Sequence, residues 1–209
     1  MSAKFALLVP VKALERAKSR LVVSTHGHRV PLMRAFALDA ITAATRSSLV
    51  RQVYVVTDEP GLDLPGTVAL PDEGEGDLNR ALVHAALRVS LLDPSLAVAA
   101  MCADLPCLRT ADLDDALRAG LSPRWFVADE AGTGSSLLAA RPGVELAPHF
   151  GPGSAAHHQA SGAAPVRAQV PTLRMDVDTL ADLDRARLLG VGEHTTAALA
   201  ATDLATPGD

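Results

Sequence analysis

The stretch Leu96–Leu108, LAVAAMCADLPCL, places one acid where chemistry is easiest to build. Small apolar residues run from Leu96 to Met101, and a single carboxylate, Asp104, follows them. The run has the length and character of a strand buried on both faces. Pro106 has no N–H to give to a sheet ladder, so the strand must end near it. Asp104 is therefore expected at the carboxyl end of a central strand, the edge of an open α/β sheet where ligands bind. A carboxylate at that edge is a candidate metal ligand.

A second pair of acids, Asp176 and Asp178, is spaced i, i+2. In an extended segment such side chains share one face. Two or three carboxylates suit a hard divalent ion such as Mg²⁺, which takes oxygen ligands and leaves positions for phosphates. The alternative is structural, with Asp178-Thr179 as a helix cap and Asp176 as a turn acid. Two further pairs, Asp112/Asp114 and Asp182/Asp184, fall in helical patterns where i, i+2 side chains diverge, and are set aside.

Around these acids stand three other features. Lys12, Arg16, Lys18 and Arg20 form a basic loop after the first predicted strand. It lacks the glycines of phosphate-cradling loops, so any anion it holds is held by side-chain charge, and the alternative is a solvated charge run. Gly132-Thr133-Gly134-Ser135 and Gly151-Pro152-Gly153-Ser154 are small-residue turns. The second opens a helix whose first amides face an anion, or else Ser154 is only a cap. The histidines, His157 and His158 among them, show no metal spacing and read as surface residues. No G-x-S-x-G is present, so a hydrolase triad has no foothold.

The elements that must position these groups follow from periodicity. Strands are predicted at Phe5–Val11, Val53–Thr57, Thr67–Leu70, Leu96–Met101, Arg124–Ala128, Ser136–Ala140 and Thr172–Met175. Helices are predicted at Pro31–Arg46, Leu78–Leu92, from the Thr110 cap to about Ala119, from Ser154 through His158, and at Leu180–Leu189 between Thr179 and Gly190. Leu32, Phe36, Ile41 and Ala44 form the inward stripe of the first helix. Strand and helix alternate in the first half, while two strands follow one another in the second. The fold class is therefore α/β, a Rossmann-like, mixed but mostly parallel sheet with helices on both faces. One domain over residues 1–209 is expected, frayed after about Ala200.

Composition narrows the partners. The chain of 209 residues is 48% hydrophobic but only 3% aromatic, so its core is built from Ala, Val and Leu, and base-stacking platforms are excluded. A net charge of −5 without a basic block argues against nucleic acid. Two cysteines, Cys102 and Cys107, make no zinc site and read as small buried hydrophobes of a reducing compartment. No segment suits a signal peptide or a membrane span, and a cytoplasmic protein is expected.

Taken in order, VPVKALERAKSRL, LNRAL, CADLPCL, GTGSSLL, HFGPGSAAHH and MDVDTLADLDRARLLG resemble the phosphoenolpyruvate and 2-phospho-L-lactate guanylyltransferases of coenzyme F-420 biosynthesis. The resemblance spans about residues 4–192 and leans to the phosphoenolpyruvate branch. It implies a nucleotidyltransferase fold like that of molybdenum-cofactor guanylyltransferases. The implied reaction joins GTP and phosphoenolpyruvate into enolpyruvyl-diphospho-guanosine, with pyrophosphate released and the product handed to a downstream transferase. It implies Mg²⁺ held by Asp104, Asp176 and Asp178, and the acid substrate held by Ser135, Gly151 and Ser154. It further implies that Lys12, Lys18 and Arg20 contact GTP phosphates, with Lys12 and Arg20 assisting catalysis, and that Asn79 lies on the nucleotide side.

Overall fold

Strands β1 (Phe5–Pro10) and β4 (Ala97–Met101) are apolar at every position because both faces of their sheet are covered. The computed structural model describes residues 4–11, 26–58 and 64–204. Besides these two strands they form α1 (His26–Thr45), β2 (Val50–Val56), β3 (Thr67–Leu70), α2 (Leu78–Leu92) and α3 (Thr110–Ala119). After these come β5 (Arg124–Ala128), β6 (Ser135–Ala140), α4 (Ser154–Ala160), β7 (Ala164–Pro165), α5 (Pro171–Arg174), α6 (Leu180–Leu189) and α7 (Glu193–Leu204).

The seven strands make one sheet in the order β3-β2-β1-β4-β6-β5-β7. Pairs β3–β2, β2–β1, β1–β4 and β5–β7 are parallel, and β6 runs antiparallel to both β4 and β5. The mixed, mostly parallel α/β sheet read from the sequence is thus the observed one. Helices α1 and α3 cover the face carrying Phe5, Leu7, Ala99 and Met101. Helix α2 and the start of α4 cover the face carrying Ala6, Leu8, Val98 and Ala100. A satellite cluster of Leu32, Phe36, Cys107, Met175, Val177, Leu183 and Ala186 lies beyond the sheet. It includes all of the buried apolar residues of α6.

Chain direction reverses about β1. From β1 the chain steps outward to β2 and β3, then returns to place β4 on the other side. The crevice between the carboxyl ends of β1 and β4 is therefore the switch point of the sheet.

Several expectations need correction. Thr172–Met175 is not a strand: Pro171–Arg174 forms the short helix α5. Its Thr172 N–H and Oγ1–H both donate to Asp112 Oδ2, at 2.8 and 2.7 Å, which caps the turn from outside. Helix α1 begins at His26 rather than at Pro31, which lies inside it. Thr110 is the first helical residue of α3 and not its cap, and its hydroxyl donates to Ala43 O. Helix α6 is not the last, because α7 follows it. Asp39 of α1 accepts the His194 and Thr195 amides of α7 at 3.0 and 2.8 Å. Helix α7 runs to Leu204.

The single tryptophan closes one end of the larger core. Trp125 is 2% exposed, meets Phe5 edge-on at 6.0 Å, and donates its indole N–H to Ala116 O. A Cβ on Gly120 would stand 2.1 Å from two indole ring atoms. Gly120→Ala is therefore expected to cost about 1–3 kcal/mol by overpacking. A urea midpoint equal to that of the wild type would show that the ring yields freely.

Candidate active site

Asp104 lies three residues beyond β4, at the switch point, and is half-buried. Two backbone hydrogen bonds extend the strand towards it. Cys102 N–H donates to Ser136 O at 2.9 Å, and Val177 N–H donates to Asp104 O at 3.1 Å. The second bond ties the Asp176–Asp178 segment directly to Asp104. Val177 is fully buried, which turns Asp176 and Asp178 the other way, half-buried and exposed respectively. The segment lies outside the sheet and has no regular secondary structure. Arg174 secures this segment by donating to Ala128 O, Val166 O and Ala168 O, while Glu130 N–H donates back to Arg174 O. On the far side, Thr179 and Asp182 form a capping box that opens α6.

The small-residue turns form a second wall. Asp129 Oδ1 and Oδ2 accept the amides of Thr133 and Gly134 at 2.9 and 2.7 Å, closing the β5–β6 hairpin turn. A Cβ on Gly134 would meet the Asp129 carboxylate at 2.4 Å, so a larger residue there would displace that carboxylate. Ala155 N–H donates to Thr133 O, which joins the Gly151–Ser154 turn to the hairpin. Gly151 has φ +130°, and a Cβ there would point into open space. Ser154 and Ser135 are 2% and 7% exposed.

The first amides of α4 are mostly spent within the protein. Ser154 N–H bonds Gly151 O, Ala155 N–H bonds Thr133 O, and His157 N–H bonds Gly153 O. The free amides expected of this helix start are therefore not available at Ser154 or Ala155. Asn79, the second residue of α2, pairs with Phe150 like a strand neighbour. Its Nδ2 donates to Phe150 O at 3.0 Å and its Oδ1 accepts Phe150 N–H at 2.7 Å. Asn79 so anchors the turn before Gly151 to the start of α2.

His158 corrects the expectation of a surface histidine. It is 0% exposed and bridges both turns. Its Nε2 accepts His149 N–H at 2.9 Å, and its Nδ1 lies 3.0 Å from Ser135 Oγ. Phe150 packs edge-on against its ring at 5.1 Å. Ser154, Ala155 and His158 fall on one helix face, and that face is the buried one, but the spacing alone does not say which face turns inward.

Comparison with known proteins places this arrangement. Residues 5–204 match the family model described as "Guanylyl transferase CofC like". The chain belongs to this family. Phosphoenolpyruvate guanylyltransferase of Streptomyces avermitilis is 48% identical over 204 residues, covering 94% of each chain. The enzyme of the same name from Thermomonospora curvata is 43% identical, covering 98% of this chain and 92% of its own. Among solved structures, a putative nucleotide-diphospho-sugar transferase from Desulfovibrio desulfuricans superposes with TM-score 0.70 at 19% identity, covering 97% of this chain and 96% of that one. A 4-diphosphocytidyl-2C-methyl-D-erythritol synthase superposes with TM-score 0.57 at 15% identity over 90% of this chain and 99% of that one. These two likenesses are of fold alone.

In this CofC-like guanylyl transferase three of the four set-aside acids are structural. Asp112 caps α5, Asp114 takes hydrogen bonds from Ser47, Ser48 and Arg118, and Asp182 belongs to the capping box. Cys107 is a buried thiol: burial pushes it up to about 11, and its S–H donates to Ala186 O. Cys102, half-buried, donates to Ser135 O. Lys12, Arg16, Lys18 and Arg20 lie outside the described residues. Among the described residues no three His, Cys, Asp or Glu side chains are gathered closely enough to hold a metal ion. That still fits Mg²⁺, which is commonly held by one or two carboxylates together with substrate phosphates and water. Asp104 and Asp176, half-buried oxygen donors on segments bonded to each other, are of that kind. No helix among the described residues is long and apolar enough to cross a membrane.

Burial, reinforced by His149, Arg124 and His157, pushes His158 down to about 4. Below the ordinary histidine value the unfolded chain binds a proton that the folded chain refuses. Stability from this group is thus complete above about pH 6.5 and is lost as pH falls towards 4. Between about pH 7 and about pH 4.5 the melting temperature of the wild type should fall further than that of His158→Asn. Parallel curves would show that His158 contributes nothing to acid sensitivity.

Proposed function

We propose that this chain transfers GMP from GTP to phosphoenolpyruvate, giving enolpyruvyl-diphospho-guanosine and pyrophosphate. The observation that carries the reading is the near full-length match to relatives named for this reaction, at 48% identity over 94% of the chain. Backbone links support it: Val177 N–H to Asp104 O joins the segments of the acids, Cys102 N–H to Ser136 O joins the end of β4 to β6, and Ala155 N–H to Thr133 O joins the turns that carry Ser135, Gly151 and Ser154. In the wider reading the product passes to a downstream transferase of coenzyme F-420 biosynthesis, within the cytoplasm.

In the reaction an oxygen of the phosphoenolpyruvate phosphate attacks the α-phosphorus of GTP. The bond from that phosphorus to the bridging oxygen breaks, and pyrophosphate leaves with the electron pair. A phosphate near neutral pH is already deprotonated, so no strong base is required. The physical obstacle is charge: two unit charges 4 Å apart repel by about 4 kcal/mol at an effective dielectric near 20. Lys12, Lys18 and Arg20 are assigned to neutralise the GTP phosphates. Ser135, Gly151 and Ser154 are assigned to seat the acid, and Asn79 lies on the nucleotide side. Asp104 and Asp176, with Asp178, would hold Mg²⁺, which when bound screens and orients the phosphates.

A pyrophosphate-release assay with GTP or ATP against phosphoenolpyruvate, 2-phospho-L-lactate and 3-phosphoglycerate tests the reading. Turnover with GTP and phosphoenolpyruvate is expected, repeated with the downstream transferase present if product does not accumulate. GTP binding without pyrophosphate release from any acid would overturn it. Asp104→Asn should lower turnover by roughly 100-fold or more while the melting temperature is kept. Near wild-type turnover at saturating Mg²⁺ would remove Asp104 from the metal site. Ser154→Ala should raise KM for the acid more than KM for GTP, whereas equal effects would place Ser154 outside the acid's seat.

A further inference from the structure

We propose that His158 is a positioning residue that fixes the Ser135 hydroxyl as a hydrogen-bond donor to the anionic acid substrate. The proposal rests on the reading above that Ser135 lines the seat of that acid. His158 itself touches no substrate, because it is fully buried behind Ser135.

The assignment follows from counting protons. His149 N–H is a donor and nothing else, so the ring nitrogen facing it, Nε2 at 2.9 Å, must be the unprotonated one. The ring proton therefore sits on Nδ1 and is given to Ser135 Oγ at 3.0 Å. Had the hydroxyl instead donated to Nδ1, the proton on Nε2 would face the His149 N–H, two donors against each other. With its acceptor side occupied by the imidazole, Ser135 keeps its own hydrogen directed elsewhere. Among the described residues no acceptor takes it. Carboxylate and phosphate oxygens are acceptors only, so a hydroxyl committed to donation is matched to them, while one free to rotate is not.

The surroundings keep this tautomer neutral. The ring is fully buried, the Arg124 guanidinium brings positive charge towards it, and Phe126 and Phe150 pack on it at 5.8 and 5.1 Å. A protonated ring would put a second N–H against the His149 amide, so charge is disfavoured by geometry as well as by burial. The same two hydrogen bonds join the hairpin turn to the segment before Gly151. A shift in either wall therefore reaches the hydroxyl.

The test combines steady-state kinetics with imidazole ¹⁵N spectra. His158→Phe should raise KM for phosphoenolpyruvate about tenfold or more, the loss of one hydrogen bond to an ionised group, with KM for GTP changed less than about twofold. His158→Asn, which puts an amide N–H near the Nδ1 position, should recover most of that loss. Ser135→Ala should match His158→Phe, and the double variant should be no worse than either single one. Equal defects in the Phe and Asn variants, a parallel rise in KM for GTP, or additivity in the double variant would overturn the proposal. If His158→Phe does not fold, the wild-type spectrum decides. It should show a neutral Nδ1–H ring that does not titrate above about pH 5 and shifts when phosphoenolpyruvate is added without GTP. An Nε2–H ring, or no response to the acid, would overturn the inference. A wild type with the expected tautomer and acid response but no pyrophosphate release would overturn the transfer reading instead.

Discussion

Two backbone hydrogen bonds at the end of β4 decide where everything around the crevice stands. One runs from Cys102 N–H to Ser136 O and the other from Val177 N–H to Asp104 O. Each contributes only about 0.5–1.5 kcal/mol net to stability. Their effect is geometric, because β4 itself cannot slide. It is held in parallel register by β1 and in antiparallel register by β6, with alanines on both faces under close-packed helices. A slip of one residue would exchange its two faces and break both cores. The acid segment and the hairpin are therefore hung on a strand that has only one position.

Charge near the crevice is distributed with the same economy. Arg124 serves Leu146 O and Ser161, Arg174 serves three carbonyls, and Arg185 bridges Glu130 and Asp182 at 2.7 Å each. These guanidinium groups are committed to holding segments in place. In the proposed reaction the polyphosphate charge is assigned to the basic first loop and to the ion that the acids would hold, which would reconcile a net charge of −5 with anionic ligands.

How much of this was legible in the sequence depended on the range of the interactions involved. Helix α2 was predicted to the residue, because Asp77 caps it locally by accepting the amides of Asn79 and Arg80. The Thr179–Asp182 box and Gly190 marked both ends of α6 in the same way. The strand reading of Thr172–Met175 failed because a short apolar run has no decisive period. What makes it a helix is Asp112, sixty residues away. Likewise α7 is held by Asp39, more than 150 residues earlier, and no local pattern announces that pairing. At the site, Asp104 was legible because an apolar run ended beside a proline. His158 was not, since its partners His149 and Ser135 come together only when the hairpin and α4 are folded.

Strand β6 runs against its neighbours, so it begins at the edge where β4 ends. The small-residue wall is consequently made from one continuous window, from Asp129 through His158, linked by a hairpin rather than by a crossover helix. The acids and the switch point come from other parts of the chain, on the parallel ladder and after α5. The architecture is modular in sequence as well as in space: the turns form one contiguous cassette, and the ladder that fixes Asp104 is separate from it. Under the proposed function, changing the accepted acid would call for rewriting that one segment, not for rebuilding the sheet.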